Sequence, residues 1–98
     1  MSIVTIMKVP GDTAKFREFF DSHKEQVAAI SARAQAAGCT SHVFSQGDGV
    51  TVAVDHWDSQ AAFEKFLADP EIGETMAGAG ASGPPEIEIF EVIDVDSW

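Results

Sequence analysis

His42, Asp55 and Trp57 are the residues of this chain from whose types and spacing chemistry can be built. They fall in two alternating stretches, residues 40–46 and 50–57, which flank Gly47-Asp48-Gly49 and read as a tight hairpin. If Asp48-Gly49 forms a two-residue type I′ turn, Gly47 pairs with Val50. Counting outward then sets His42 directly opposite Asp55 and Thr40 opposite Trp57. Thr40, His42, Phe44 and Gln46 share a face with Thr51, Ala53, Asp55 and Trp57, while Val43, Val50, Val52, Val54 and His56 share the other. A three-residue turn through Gly47-Asp48-Gly49 would shift the count by one and set His42 opposite Val54. An imidazole paired with a carboxylate has a fixed tautomer and raised basicity, as a general base requires. Beside an indole ring it can take a proton from a phenol lying on that ring. The plainer alternative is a cross-strand pair that satisfies itself within the sheet or an interface between copies, since structural pairs perturb titration as well.

The other ionisable candidates have plainer readings. His23 falls between Phe20 and Val27 on an apolar stripe, where it either points into the same cavity or is a core-edge histidine with its own partner. His56 lies on the valine face and reads as an interface group, and a tryptophan such as Trp57, taken alone, is usually a large core residue. The three histidines are far apart, the single cysteine, Cys39, has no Cys-x-x-Cys partner, and the carboxylates are scattered, so no metal site is expected. Val9-Pro10-Gly11-Asp12-Thr13 is a turn and cap rather than a phosphate loop. No Gly-x-Ser-x-Gly elbow occurs.

The elements that must position these residues follow from period and punctuation. Residues 2–9 carry apolar side chains on both faces, as a central strand does, and Pro10-Gly11 stops it. Phe16, Phe19, Phe20, Val27, Ile30 and Ala34 recur at helical spacing over residues 13–37, which predicts one long amphipathic helix ending at Gly38. After Trp57, Asp58 or Ser59 caps a helix whose buried stripe is Phe63, Phe66 and Leu67. Asp69 with Pro70 at the first helical position then starts a short second helix bearing Ile72 and Met76. Residues 77–85 contain Gly78, Gly80, Gly83, Pro84 and Pro85 and are expected to form a mobile loop. Residues 86–95 close the chain as a strand. The order βαββαβ is the split, ferredoxin-like α+β arrangement: a four-stranded antiparallel sheet with helices on one face. Apolar residues on both faces of the first and last strands imply that the bare sheet face meets a second copy.

Composition sets the outer bounds. A chain of 98 residues is one domain that buries only about 60–65% of its unfolded surface, a thin core that gains from a partner copy. Sixteen acidic against six basic side chains, a formal charge of −10, oppose nucleic acid and anionic membranes as partners. Met1 to Lys8 lacks a basic leader and a signal-type apolar run, no stretch approaches a membrane span of roughly 20 apolar residues, and Cys39 has no partner within the chain. A reducing, cytoplasmic location is expected.

The strand ending in Asp55-His56-Trp57, followed at once by the capped helix and the Asp69-Pro70 restart, resembles the dimeric α+β barrels that include the antibiotic biosynthesis monooxygenases. The resemblance spans Val4 to Val95 and implies a homodimer formed by two sheets packed face to face. It also implies a pocket bordered by the strand-end Trp57 and walled by the short second helix. Such families contain oxygenases that oxidise polycyclic phenols without cofactor, quinol monooxygenases and haem-degrading enzymes. Where the haem-degrading branch has its histidine ligand and its asparagine, this chain has Thr75 and Thr5, so no haem and no other cofactor is expected. The leading expectation is a cofactor-independent monooxygenase of a small aromatic hydroxyl or quinol compound. In it His42 is the base, Asp55 orients it, and Trp57, Phe20, His23, Phe63, Phe66 and Met76 contact substrate, with Phe20, Phe63 and Met76 as the roof. The alternatives are a non-catalytic homodimeric module that holds a hydrophobic small molecule, and a plain dimerisation domain with a filled interior.

Overall fold

The computed structural model describes residues 1–96 and 98. The elements run β1 (Ile3–Pro10), α1 (Thr13–Ser22), α2 (Lys24–Ala37), β2 (Cys39–Gly47), β3 (Val50–Trp57), α3 (Gln60–Leu67), α4 (Pro70–Ala79) and β4 (Glu86–Glu91). All strands lie in one antiparallel sheet of order β2-β3-β1-β4, the ferredoxin-like α+β topology expected from the pattern. Ile3, Thr5, Val9, Thr51, Ala53, Asp55 and Trp57, which alternate along β1 and β3, are buried beneath the helices. Val4, Ile6, Val43, Val54, His56 and Phe90 occupy the opposite, open face, as the pairing parity requires.

The hairpin register is the one on which the site depends. Gly47 pairs with Val50 and His42 pairs with Asp55. Gly49 takes a positive φ of 71°, whereas Asp48 does not, so the turn is not the type I′ expected, although its two-residue length gives the same count. Near its far end the ladder departs from that count: a β-bulge between Cys39 and Ser41 sets Cys39, not Thr40, opposite Trp57. Thr40 becomes the extra residue, and its hydroxyl donates to the His56 carbonyl at 3.2 Å.

The single long helix expected over residues 13–37 is in fact two, broken at His23. Asp21, Ser22 and His23 are weak helix formers in succession, and the Ser22 hydroxyl donates back to the Glu18 carbonyl at 2.8 Å, competing with the ladder. The expected loop over residues 77–85 begins later than predicted. Ala77 to Ala79 complete α4, and Gly80, with φ of 114°, ends it. β4 stops at Glu91 rather than Val95, because Glu91 pairs with Ile3, where β1 itself begins. Both predicted caps form: Ser59 accepts from Ala62 N–H at 3.1 Å, and Asp69 accepts from Glu71 N–H at 3.0 Å with Pro70 at the start of α4.

The core is split into two clusters. Ile3, Cys39, Trp57 and Phe63 pack at one end of the sheet, and Val9, Phe16 and Ala79 at the other. Beyond the second cluster three connections meet at Gly11: its N–H bonds the Gly49 carbonyl at 3.1 Å, it bridges Ala81, and Ser82 N–H bonds the Pro10 carbonyl at 2.9 Å. Gly11 has a φ of 154°, and a side chain there would overlap the Gly80 carbonyl oxygen. Gly73, inside α4, has open space around it. Gly11→Ala is therefore expected to cost at least about 2 kcal/mol, whereas Gly73→Ala is expected to be neutral or to gain up to about 1 kcal/mol. Chemical denaturation at one fixed protein concentration checks the pair, and equal effects at the two positions would contradict the account.

Candidate active site

Between the two core clusters lies a cavity of about 310 Å3. Its floor is the covered sheet face at Met7, Ala53 and Asp55, and its walls come from α1, α2, α4 and the inward side of β2. α2 buries no residue fully, yet Val27, Ile30, Ser31 and Ala34 recur at helical spacing along the cavity. Its apolar stripe thus lines a space instead of packing into a core. Arg33 holds this wall in place from outside, meeting Glu71 at 2.9 Å and Asp69 at 3.3 Å at the start of α4, exposed contacts worth about 0–1 kcal/mol each.

A hydrogen-bonded chain crosses the floor. Trp57 Nε1–H donates to Asp55 Oδ2 at 3.3 Å, and Asp55 Oδ1 meets His42 Nδ1 in a short contact. An ionised carboxylate only accepts, so Nδ1 carries the ring hydrogen and Nε2 is left as the lone pair. Asp55 is buried and half enclosed by these two donors, whereas the His42 side chain keeps a third of its surface exposed. Phe44 presses edge-on against the His42 ring with centroids 4.3 Å apart, and Phe20 packs on Phe44 at 4.7 Å. The imidazole is thereby fixed on one side by a carboxylate and on the other by aromatic surface. Among the lining residues Asp55 is the one carboxylate, and none is Lys or Arg, so the cavity suits a neutral, largely apolar guest bearing a proton that His42 can accept.

His42, Asp55, Phe20, Phe66 and Met76 all border the cavity, as expected. Three other expectations are corrected. Trp57 shares the face of His42 and Asp55 but is wholly buried, packed on Phe63 and Phe66 at 5.5 and 5.2 Å, so it supports Asp55 from behind and does not present its ring to the cavity. Phe63 belongs to the same cluster and is not part of the roof. His23 lies outside because the helix breaks there; its ring is exposed and stacks on Phe19 at 4.1 Å. Phe44, Cys39, Ile72, Ser31 and Gln35 are wall residues not singled out from the sequence. Phe44 was legible two residues from His42 on one strand face, and Ser31 and Gln35 by their helical offset from Val27. Thr5 is buried opposite Asp55 with its hydroxyl unpartnered among the described residues, while Thr75 accepts from Gln26 at 3.3 Å. Among the described residues no group of His, Cys, Asp and Glu is placed to hold a metal ion. No helix is long and apolar enough to cross a membrane.

Cys39 lines the cavity beside this chain of hydrogen bonds. Burial first, and then the negative charge of Asp55, push its thiol above its usual range. The thiolate is the reactive form, so alkylation by iodoacetamide should be slow at neutral pH and accelerate only above the usual thiol pKa of about 8.5. Asp55→Asn, which removes the charge but keeps the shape, should move that acceleration to lower pH. An unchanged profile would contradict the coupling.

No protein-family model matches the chain, and no curated protein sequence matches it. Solved structures do. The ActVA-Orf6 monooxygenase of Streptomyces coelicolor, determined with nanaomycin D, superposes with a TM-score of 0.72 at 18% identity, over 96% of this chain and 89% of its own. SnoaB, a cofactor-independent oxygenase of Streptomyces nogalater, gives 0.68 at 20% identity over 97% and 96%. A dimeric ferredoxin-like protein from an uncultured marine organism gives 0.69 at 15% identity over 99% and 92%. At such identities the likeness is one of fold, and the fold is that of the dimeric α+β barrels to which the antibiotic biosynthesis monooxygenases belong.

Proposed function

We propose that the chain is a homodimeric, cofactor-independent monooxygenase of a small aromatic hydroxyl or quinol compound. The observation that carries this reading is the Trp57–Asp55–His42 chain, which leaves the Nε2 lone pair of His42 at the wall of an apolar cavity. In this reading the guest's hydroxyl proton passes to Nε2, and Asp55 stabilises the imidazolium so formed. The resulting phenolate is electron-rich at its ring carbons and reacts there with O2. One oxygen atom is retained as a new carbonyl and the other leaves as water, with the ring C–H hydrogen and the transferred proton accounting for the two hydrogens. Phe20, Phe44, Phe66 and Met76 keep the anion away from water. The fold shared with two oxygenases supports the reaction class. A plain dimerisation domain with a filled interior is excluded by the cavity.

Oxygen uptake with a panel of phenols and quinols tests the proposal. His42→Ala should lower turnover by roughly 10²-fold or more, the usual contribution of a positioned base, and Asp55→Asn should lower kcat more than it raises KM. Saturable binding of the same compounds with no oxygen uptake would overturn the oxygenase reading and leave a binding module.

The second copy is placed on the open sheet face. Val43, Val54 and Phe90 expose 61%, 36% and 49% of their surface there, more apolar area than a lone domain usually shows. His56 sits among them with Nε2 buried and unpartnered among the described residues, a hydrogen-bonding group that a partner can satisfy. Sedimentation at micromolar concentration should give a dimer, and the thermal midpoint should rise with concentration. Val54→Glu, at a position far from the cavity side, should yield a folded monomer. A parent chain that sediments only as a monomer would remove this part of the proposal.

A further inference from the structure

Two edges of this sheet are incomplete. β4 ends where β1 runs out, its last support being the bond from Val92 N–H to the Ser2 carbonyl at 3.0 Å. Yet Ile93-Asp94-Val95-Asp96 keeps the alternation of a strand, and Ile93 and Val95 expose 74% and 69% of their surface. Pairing parity puts Ile87, Ile89, Ile93 and Val95 all on the helix-covered side of the sheet. At the other edge β2 offers nine residues, Cys39–Gly47, with no partner strand outside them. It contains no Lys, Asp, Glu or Pro, the residues by which exposed edges are ordinarily protected. β2 also carries His42 and Phe44, both still part-exposed, so the open side of the cavity and the open edge of the sheet coincide.

Symmetry connects the two edges. A copy stacked on the open face by a two-fold axis parallel to the strands has its strand order reversed, so β4 of the second copy falls beside β2 of the first, running antiparallel to it. An axis across the strands would instead bring β4 against β4, setting Glu86, Glu88 and Glu91 of one copy against the same residues of the other. The uncharged β2 edge has no such conflict. We propose that in the homodimer, on which this inference rests, residues 86–95 of the second copy pair with β2. Their apolar stripe then flanks His42 and Phe44 and completes the cavity wall. Each site is in this sense built from both chains, and an isolated protomer has an open one.

Hydrogen exchange on the parent chain tests this directly, because a free antiparallel edge leaves every second amide unbonded. In the dimer all amides of residues 40–47 should be protected about as well as those of β3. The Ile93→Asp/Val95→Asp double variant, altered at positions already exposed in the protomer, should restore rapid exchange to that edge. It should also weaken binding of the neutral fluorophore N-phenyl-1-naphthylamine at least fivefold while leaving the sheet-face dimer in place. A dimer whose alternate β2 amides exchange rapidly would overturn the pairing and leave the dimer standing. A double variant that exchanges and binds as the parent does would remove residues 93–95 from the wall. A monomeric parent would overturn the homodimer itself and the pairing with it.

Discussion

The count of residues in one turn governs this molecule. With two residues between Gly47 and Val50, every pair down the hairpin is fixed, and the side chains of His42, Phe44, Ala53 and Asp55 all project beneath the helices. One residue more would turn Val43 and Val54 inward, expel the carboxylate into solvent and leave α2 facing valine where it now faces a polar, walled space. Burying Asp55 is tolerable only because that register delivers His42 across the ladder and because Trp57, two residues along the strand, supplies a second donor. The core then divides around this polar centre into one cluster at each end, since neither can close over it.

Most of the architecture was legible because it rests on local rules. Alternation in 50–57, the Asp69-Pro70 cap and the order of elements are each specified within a few residues of sequence. What escaped was decided by competition between neighbours. The break at His23 depends on a serine hydroxyl returning to the ladder, which the continuous apolar stripe from Phe16 to Ala34 concealed. The bulge at Thr40 lies where the ladder must accommodate Trp57, and no count from the turn reveals an extra residue in one strand. Gly78 looked like loop because composition weighs a glycine against a helix, while Ala79 behind it packs on Val9 and Phe16 and carries α4 onward.

The site was read partly for the right reasons. His42 and Asp55 followed from pairing arithmetic, and Phe20, Phe66 and Met76 from their stripes. Trp57 was assigned to the wrong side of the carboxylate: a large ring at a strand end suggests a platform for a guest, whereas here it lies beneath the floor. His23 failed with the helix that was to carry it. The alternation in residues 93–95 is the instructive remainder, a strand signal without a strand, for which the protomer alone offers no partner.

The division of the core has a consequence on an evolutionary scale. Stability resides in the clusters around Trp57 and Phe16 and in the junction at Gly11, whereas Val27, Ile30, Ser31 and Gln35 border empty space. Substitutions among the latter alter the shape offered to a guest without removing contacts that hold the helices on the sheet. A scaffold partitioned in this way can drift until barely a sixth of its residues match those of a relative, as at 16% identity, and still superpose along nearly its whole length. Its lineages are free to explore new ligands at little risk to folding.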